Sequence, residues 1–327
     1  MKNKLVSVIL VNWNGMKWLD KCLKSLMDQD YNDFEIILVD NASSDGSVEF
    51  VQKNFPKVRL IVNKTNLGFA SGNNIGINNA KGEYILLLNN DTWMKKDFLS
   101  NMLKFYQKNN YDVIAPREVG YDGKKQSSYI SKIDPFGHPV YLFEKKDEEA
   151  FYLVGVCLFF NKKIYMETGG FDDNFFMYCE EVDWFWRLNL LKKKFAYVDD
   201  IHVFHAGAGS TGEGIKYKVF LWRNQNTLQM LLKNYKWYNL LWILPVYFLQ
   251  NIVEILFFLM FLKPKISLSY IQGWWFNIRN INRILEKRKL VQENRKLHEL
   301  EIIRKMYLGF GKLKHLIAYN DAHLVKL

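Results

Sequence analysis

Apolar residues follow two distinct periods along the first 120 positions. Short, mostly apolar runs, Val6 to Val11, Glu35 to Val39, Val58 to Val62 and Tyr84 to Leu88, have the length of buried strands. Between them Leu19, Leu23 and Leu26, and later Ile75 to Ala80, recur at helical spacing, and Gly82 stands where the later helix is expected to be capped. This alternation predicts βα units on a mostly parallel sheet, a doubly wound α/β half-sheet.

From Val119 to Glu149 the periodicity gives way to Gly, Lys, Ser and Asp, a stretch long enough to be a mobile functional loop. Phe151 to Phe160 reads as a further strand, Glu180 to Lys194 as a helix, and Phe195 to Val198 as a short strand leading into His202-Val203-Phe204-His205-Ala206-Gly207. From Trp237 to Leu262 aromatic and aliphatic residues dominate and Glu254 is the only charge, so the segment approaches the length that crosses a bilayer. Pro245 interrupts it, and Gln250, Asn251 and Glu254 share one helical face, which weighs against a simple span. An in-plane or re-entrant membrane helix, a true span, and a buried or oligomer-forming helix all stay open. Beyond it, Lys287-Arg288-Lys289 and Arg295-Lys296 lie on a helical pattern with Leu290, Leu297 and Leu300, suited either to anionic headgroups or to plain solvent. The expected organisation is a catalytic domain over 1–235 and a C-terminal apolar and basic helical region over 236–327.

Hydrophobic residues make up 49% of the 327, which supports a sizeable core and excludes a disordered chain. Cys22, Cys157 and Cys179 have neither metal-ligand spacing nor an even framework, so they read as buried structural thiols in a reducing compartment. Met1-Lys2-Asn3-Lys4 runs directly into strand-like alternation. No secretory leader is therefore expected, and the protein is expected in the cytoplasm, peripheral on the inner face of the membrane. The formal charge of +11 suits an anionic membrane surface or nucleotide diphosphates. Nucleic acid is disfavoured, because the basic residues lack an aromatic platform or a recognised module.

Two strand ends carry candidate chemistry. Tyr84 to Leu88 ends in Asn89-Asn90-Asp91, and Glu35 to Val39 ends in Asp40, followed by the polar turn Asn41-Ala42-Ser43-Ser44-Asp45-Gly46-Ser47. Open α/β sheets bind ligands at such strand ends. Carboxylates there can hydrogen-bond a base or ribose, or hold a hard divalent cation that bridges phosphate oxygens.

The motifs occur in an order that carries a resemblance: Asn12-Trp13-Asn14-Gly15, then Asp40 to Ser47, Asn66-Leu67-Gly68-Phe69-Ala70 with Gly72-Asn73-Asn74, Leu88 to Asp91, and Tyr178-Cys179-Glu180-Glu181-Val182-Asp183. Over roughly residues 5 to 230 the chain resembles the family 2 glycosyltransferases with the GT-A fold, and within them the rhamnosyltransferase-like branch. The resemblance implies a Rossmann-like, doubly wound mixed sheet followed by a helical, membrane-associated extension. It places Asp40 on the nucleotide base with Asn12 and Asn66 beside it, and puts Asn14, Gly68, Asn73, Asn89 and Asn90 in the donor pocket. Asp91 is implied as the ligand of Mg2+ or Mn2+ on the donor diphosphate, with His205 completing the metal site and Arg223 offsetting diphosphate charge.

Inverting sugar transfer requires a base for the acceptor hydroxyl, and the resemblance assigns it to the acids Glu180, Glu181 and Asp183, with Glu181 first and Asp183 second. Trp184 and Trp186 suit either acceptor stacking or packing. The chain departs from the family pattern twice, with Asn89 at the first acidic position of the Asp-x-Asp-like motif and Glu181 where an aspartate is usual. The implied donor is a nucleotide-diphosphate sugar, dTDP-rhamnose ahead of UDP- or GDP-sugars. The implied acceptor is a glycan or a polyprenyl-diphosphate-linked sugar, and homo-oligomerisation stays open. A catalytically inactive sugar-nucleotide-binding or membrane scaffold is the alternative. A nucleotidyltransferase or dinucleotide oxidoreductase would want a Gly-rich loop after the first strand, which Trp13-Asn14-Gly15-Met16 does not supply.

Overall fold

The computed structural model describes residues 5–124, 129–143, 149–207 and 217–312. In chain order the strands are β1 Val6–Asn12, β2 Phe34–Asp40, β3 Arg59–Val62, β4 Tyr84–Asn89, β5 Thr92–Met94, β6 Val113–Gly120, β7 Tyr129–Ile133, β8 Pro139–Phe143, β9 Cys157–Asn161 and β10 Phe195–His205. The helices are α1 Met16–Met27, α2 Ser47–Asn54, α3 Gly68–Asn79, α4 Phe98–Lys108, α5 Lys162–Glu167, α6 Glu180–Leu190 and α7 Tyr217–Asn234. They continue with α8 Trp237–Met260, α9 Pro264–Arg279, α10 Ile281–Asn294 and α11 Glu299–Lys305.

The chain forms two compact units, each discontinuous in sequence: Met1–Ser128 with Leu153–Trp184 and Lys193–Gly214, and Tyr129–Tyr152 with Phe185–Lys192 and Ile215–Leu327. The boundary expected after residue 235 falls inside the second unit, between α7 and α8.

An eight-stranded sheet in the order β3-β2-β1-β4-β9-β6-β10-β5 makes up the first unit. β3, β2, β1 and β4 are parallel, β9 runs antiparallel to β4 and β6, and β5 runs antiparallel to β10. The central parallel strands β1, β2 and β4 are mostly apolar because helices cover both faces, whereas β3 at the edge has no buried residue. Leu19, Cys22, Leu23 and Leu26 of α1 bury one stripe in that core, and burial pushes the Cys22 thiol up to about 12. The strands expected before residue 120 and at Phe195 to Val198 are present, whereas of the one expected over Phe151 to Phe160 only Cys157–Asn161 is strand. Gly82 caps nothing: α3 ends at Ala80 in extended backbone. Gly82 is needed instead for close approach, since a Cβ there would stand 2.7 Å from the Ser7 nitrogen.

In the second unit β7 and β8 form a hairpin inside the stretch expected to be a loop; residues 125–128 and 144–148 lie outside the described residues. Asp134 organises its turn. One carboxylate oxygen accepts the N–H groups of Phe136 and His138, both at 2.9 Å, and the other accepts the Gly311 N–H at 2.8 Å and lies 3.0 Å from His138 Nδ1. The tail also differs from a solvated basic helix. Arg288 donates to the Tyr235 carbonyl at 2.7 Å, Gln292 donates to those of Lys233 and Asn234 at 2.9 and 3.1 Å, and Arg295 is paired in the interior with Glu299. Side chains around α10 thereby satisfy carbonyls that the end of α7 leaves open.

Candidate active site

Parallel pairing fixes the rim. Asn12 lies opposite Asp40 in the β1–β2 register and Val11 opposite Asn89 in the β1–β4 register, so the polar ends of three neighbouring strands emerge side by side. Asn12 is fully buried, and its amide donates to Asp40 Oδ2 at 2.8 Å and to Ser43 Oγ at 3.1 Å. Ser43 returns both of its donors to Asp40, the N–H to Oδ1 at 2.8 Å and the hydroxyl to Oδ2 at 2.7 Å. Asn90 then donates to Asn12 Oδ1 at 2.6 Å. Gly15 leaves room for this meeting: a Cβ there would stand 2.2 Å from Asn90 Nδ2 and 2.3 Å from Asn12 Oδ1.

Two further loops close on the same rim. Asn14, in left-handed backbone with φ 51°, accepts the Ser44 N–H at 2.8 Å. Asn66 accepts the Gly68 N–H at 2.9 Å, while the Asn41 amide donates to the Gly68 carbonyl at 2.9 Å. Gly68 has φ +81° and meets Phe176 so closely that a Cβ would stand 2.1 Å from that carbonyl oxygen. Asn73 is buried within α3, its amide donating to the Phe69 carbonyl at 3.0 Å.

The acid cluster arrives through strained backbone. Tyr178 and Cys179 hold φ of 72° and 66°, two left-handed non-glycine residues in succession immediately before α6. The Asp183 N–H returns to the Cys179 carbonyl at 2.9 Å and closes the first turn. Glu181 lies against Gly155, whose Cβ position is 3.5 Å from the glutamate Cβ. One residue on, the Val156 carbonyl accepts the Asn89 N–H at 2.9 Å. Glu181 is thus carried to the strand end that bears Asn89, Asn90 and Asp91.

The three acids have different surroundings. Glu180 is buried and its Oε2 has no hydrogen-bond partner among the described residues; burial, reinforced by the neighbouring Glu181, drives its pKa well above the usual carboxylate range. Asp183 is completely buried. Glu181 alone is half-buried.

At the other end of the rim, β5–β10 pairing sets His205 opposite Thr92, next to Asp91. His205 Nε2 is 3.3 Å from Asp91 Oδ1, and Nδ1 is 3.2 Å from Glu118 Oε2. Burial opposes charging of the imidazole, but hydrogen bonds to Asp91 and Glu118 outweigh it and raise the pKa to about 9. Among the described residues no three His, Cys, Asp or Glu side chains could hold a metal ion together. One carboxylate with one imidazole does fit a cation whose remaining ligands are diphosphate oxygens and water, provided the metal displaces the Nε2 proton.

Arg223 is exposed on α7 in the second unit and is not among the residues that the first unit brings together. Both tryptophans of α6 pack in cores. Trp184 donates to Thr168 Oγ1 at 2.7 Å, and Trp186 lies edge-on to Tyr235 with centroids 4.8 Å apart. Sequence reasoning missed Ser43, Glu118 and Gly155. Glu118 follows the run Val113-Ile114-Ala115 and could have been found by the strand-end rule applied to Asp40 and Asp91. A glycine within the apolar run Val154-Gly155-Val156 is itself a signal of close approach.

With this geometry in place, the comparisons with known proteins agree on the family. The glycosyl transferase family 2 profile matches residues 7–169. The glycosyltransferase GlyG of Streptococcus pneumoniae serotype 4 is 32% identical over 133 residues, covering 39% of this chain and 44% of GlyG. The chain thus matches less than half the length of that relative. Staphylococcus aureus TarS 1-349 in complex with UDP-GlcNAc superposes with a TM-score of 0.57 at 17% identity, over 92% of this chain and 88% of that one. GalNAc-T7 with UDP, GalNAc and Mn2+ gives 0.59 at 15% identity, over 71% and 48%. Residues 7–169 form a glycosyl transferase family 2 domain, and the mixed sheet has the expected GT-A fold.

Proposed function

We propose that the chain transfers a sugar, with inversion, from a nucleoside diphosphate sugar to a hydroxyl of a lipid-linked or polymeric glycan acceptor. The observation that carries this reading is the placement of Glu181, through Gly155 and Val156, at the strand end that bears Asp91. Asp40, held by Asn12 and Ser43, takes the base and ribose end of the donor, and the Asn90–Asn12 bond joins that end to the diphosphate end. Asp91 and His205 would hold Mg2+ or Mn2+, which when bound offsets the charge that builds on the departing diphosphate.

Glu181 accepts the proton of the acceptor hydroxyl as its oxygen bonds to the anomeric carbon. The bond from that carbon to the diphosphate oxygen breaks on the opposite face, and its electron pair leaves with the nucleoside diphosphate. Burial, with Glu181 beside it, raises the Glu180 pKa and so disfavours a second negative charge beside the base. The similarity to the rhamnosyltransferase-like branch supports dTDP-rhamnose as donor. UDP-GlcNAc in the TarS structure and UDP in the GalNAc-T7 structure support a UDP-sugar.

The test is turnover of a panel of UDP-, dTDP- and GDP-sugars with Mn2+, with the anomeric configuration of the product read by NMR. Inverted product from one donor class, abolished in Asp91→Ala, is the expected result. Donor binding without turnover across an acceptor panel would point to a sugar-nucleotide-binding scaffold instead.

A further inference from the structure

The second unit leaves one long face of α8 and α9 uncovered. In α8 the buried residues are Ile243, Tyr247 and Asn251, four apart on a single stripe. On the opposite side Leu241, Leu249, Val253, Leu256 and Met260 are between 56% and 80% exposed. Leu268, Ile271, Trp275 and Ile278 continue the apolar surface on α9, each about half exposed and three or four residues apart. Single exposed leucines are ordinary on a protein surface, but a continuous face of this length marks a binding surface.

We infer that this face docks on an anionic lipid bilayer, with α8 lying in the plane of the membrane rather than crossing it. The middle of α8 is fixed to its own unit. Tyr247 stacks on His138 with centroids 6.3 Å apart, Phe248 meets Trp274 edge-on at 5.3 Å, Ser267 donates to the Ile255 carbonyl at 3.0 Å, and Glu254 pairs with Lys312. A crossing helix would carry that ion pair and the Asp134–His138 pair to the depth of the hydrocarbon, where charge is costly. An in-plane helix immerses only the exposed stripe, by roughly 5–10 Å, and leaves those groups on the protein side.

Charge selects lipid over a second copy of the chain. Lys265 and Arg279, both exposed, stand at the two ends of α9, Arg279 lies 5.4 Å from the Trp275 ring, and exposed Arg283 follows on α10. Two-fold pairing through this face would bring a basic rim against itself. Headgroups of the opposite sign match it, and Trp237, Trp242 and Trp275 are the exposed aromatic side chains that suit the headgroup depth.

The experiment is co-sedimentation of the full chain with vesicles of phosphatidylglycerol and phosphatidylcholine against phosphatidylcholine alone, together with sizing in solution. The expected result is preferential binding to the anionic vesicles, weakened about fivefold by Lys265→Ala or Arg279→Ala, and at least ~10-fold by Leu256→Glu with Ile278→Glu at an unchanged melting temperature. The native cysteines are all buried, so fluorophores can be placed selectively on Leu241→Cys, Leu249→Cys and Met260→Cys. Equal, shallow quenching of the three by brominated lipids supports the in-plane arrangement. Deep quenching at the middle position alone shows a span and overturns it. Equal binding to both vesicle types removes the anionic lipid. A dimer that Leu256→Glu dissociates, with no vesicle binding, assigns the face to a second copy.

Discussion

Asn90 Nδ2 and Asn12 Oδ1 meet at 2.6 Å, and through Asn12 the end of β4 is tied to Asp40 at the end of β2. Two amides therefore align two strand ends that lie 50 residues apart in sequence. Because every atom of this chain of bonds is buried or nearly so, its geometry is set by packing and is sensitive to a single added carbon.

Gly15→Ala tests that sensitivity. The new Cβ overlaps both amides, so they must part or the first turn of α1 must move. Overpacking of this kind costs about 1–3 kcal/mol. The expected outcome is a lower melting temperature together with weaker nucleoside diphosphate binding by calorimetry. Unchanged values in both would show that the rim does not depend on the contact.

Glu181→Gln separates chemistry from binding. Donor affinity is expected to hold while turnover falls ~10²–10⁴-fold, the usual scale for one general base. Asp183→Asn alters a fully buried group and is expected to lower the melting temperature as well. Turnover that survives in Glu181→Gln but vanishes in a folded Asp183→Asn protein would move the base two residues along α6.

Glu180 gives a pH dependence with a definite sign. Its pKa is raised on folding, so the unfolded chain loses the proton first, near pH ~4.3, while the folded chain keeps it. Stability from this group is full below that pH and declines as pH rises toward the folded pKa. Glu180→Gln mimics the neutral acid. The variant is expected to melt at or above the wild type at pH 8, with a flatter profile between pH 5 and 8. A variant whose decline between pH 5 and 8 is as steep as the wild type's would contradict a raised Glu180 pKa, since His205 titrates alike in both.

Asp134 behaves in the opposite sense. Burial opposes its ionisation, but His138 and the Phe136, His138 and Gly311 N–H groups hold the carboxyl below its ordinary range. Its contribution is present above the unfolded pKa, near ~3.9, and is lost as pH falls through the folded value. Asp134→Asn is expected to cost about 2–3 kcal/mol at neutral pH, the scale of hydrogen bonds to a buried charge. Thermal melts from pH 2 to 7 should show the wild type and variant converging at the acid end.

The half-sheet was legible because buried strands announce themselves as mostly apolar runs, and Asp40 and Asp91 stood out as acids at the ends of two of them. The β7–β8 hairpin was not legible. Its turn is built by one buried carboxylate taking backbone donors, including one from Gly311, 177 residues away, and composition alone reads such a segment as loop. Arg288 and Arg295 look like solvated charges in a basic run, yet one meets open carbonyls after α7 and the other pairs with Glu299, both long-range relationships. Among the acids, the resemblance ranked Glu181 first, while the physical ground for that order lies in burial: Glu180 is closed off with its pKa raised, Asp183 is closed off, and Glu181 is not. His205 was set beside Asp91 only by the resemblance, and its engagement with Asp91 and Glu118 depends on the pairing of β10 with β5 and β6.

A crystal structure of the full chain with UDP and Mn2+ measures the central claim most directly. The base is expected beside Asp40 and Asn12, the diphosphate and metal at Asp91 and His205, and the Glu181 carboxylate facing the side from which an acceptor enters. Nucleotide bound elsewhere, for instance in the cavity of about 740 Å³ lined by Lys21, Lys24 and Lys96, with the Asp40–Asp91 rim left bare, would contradict it.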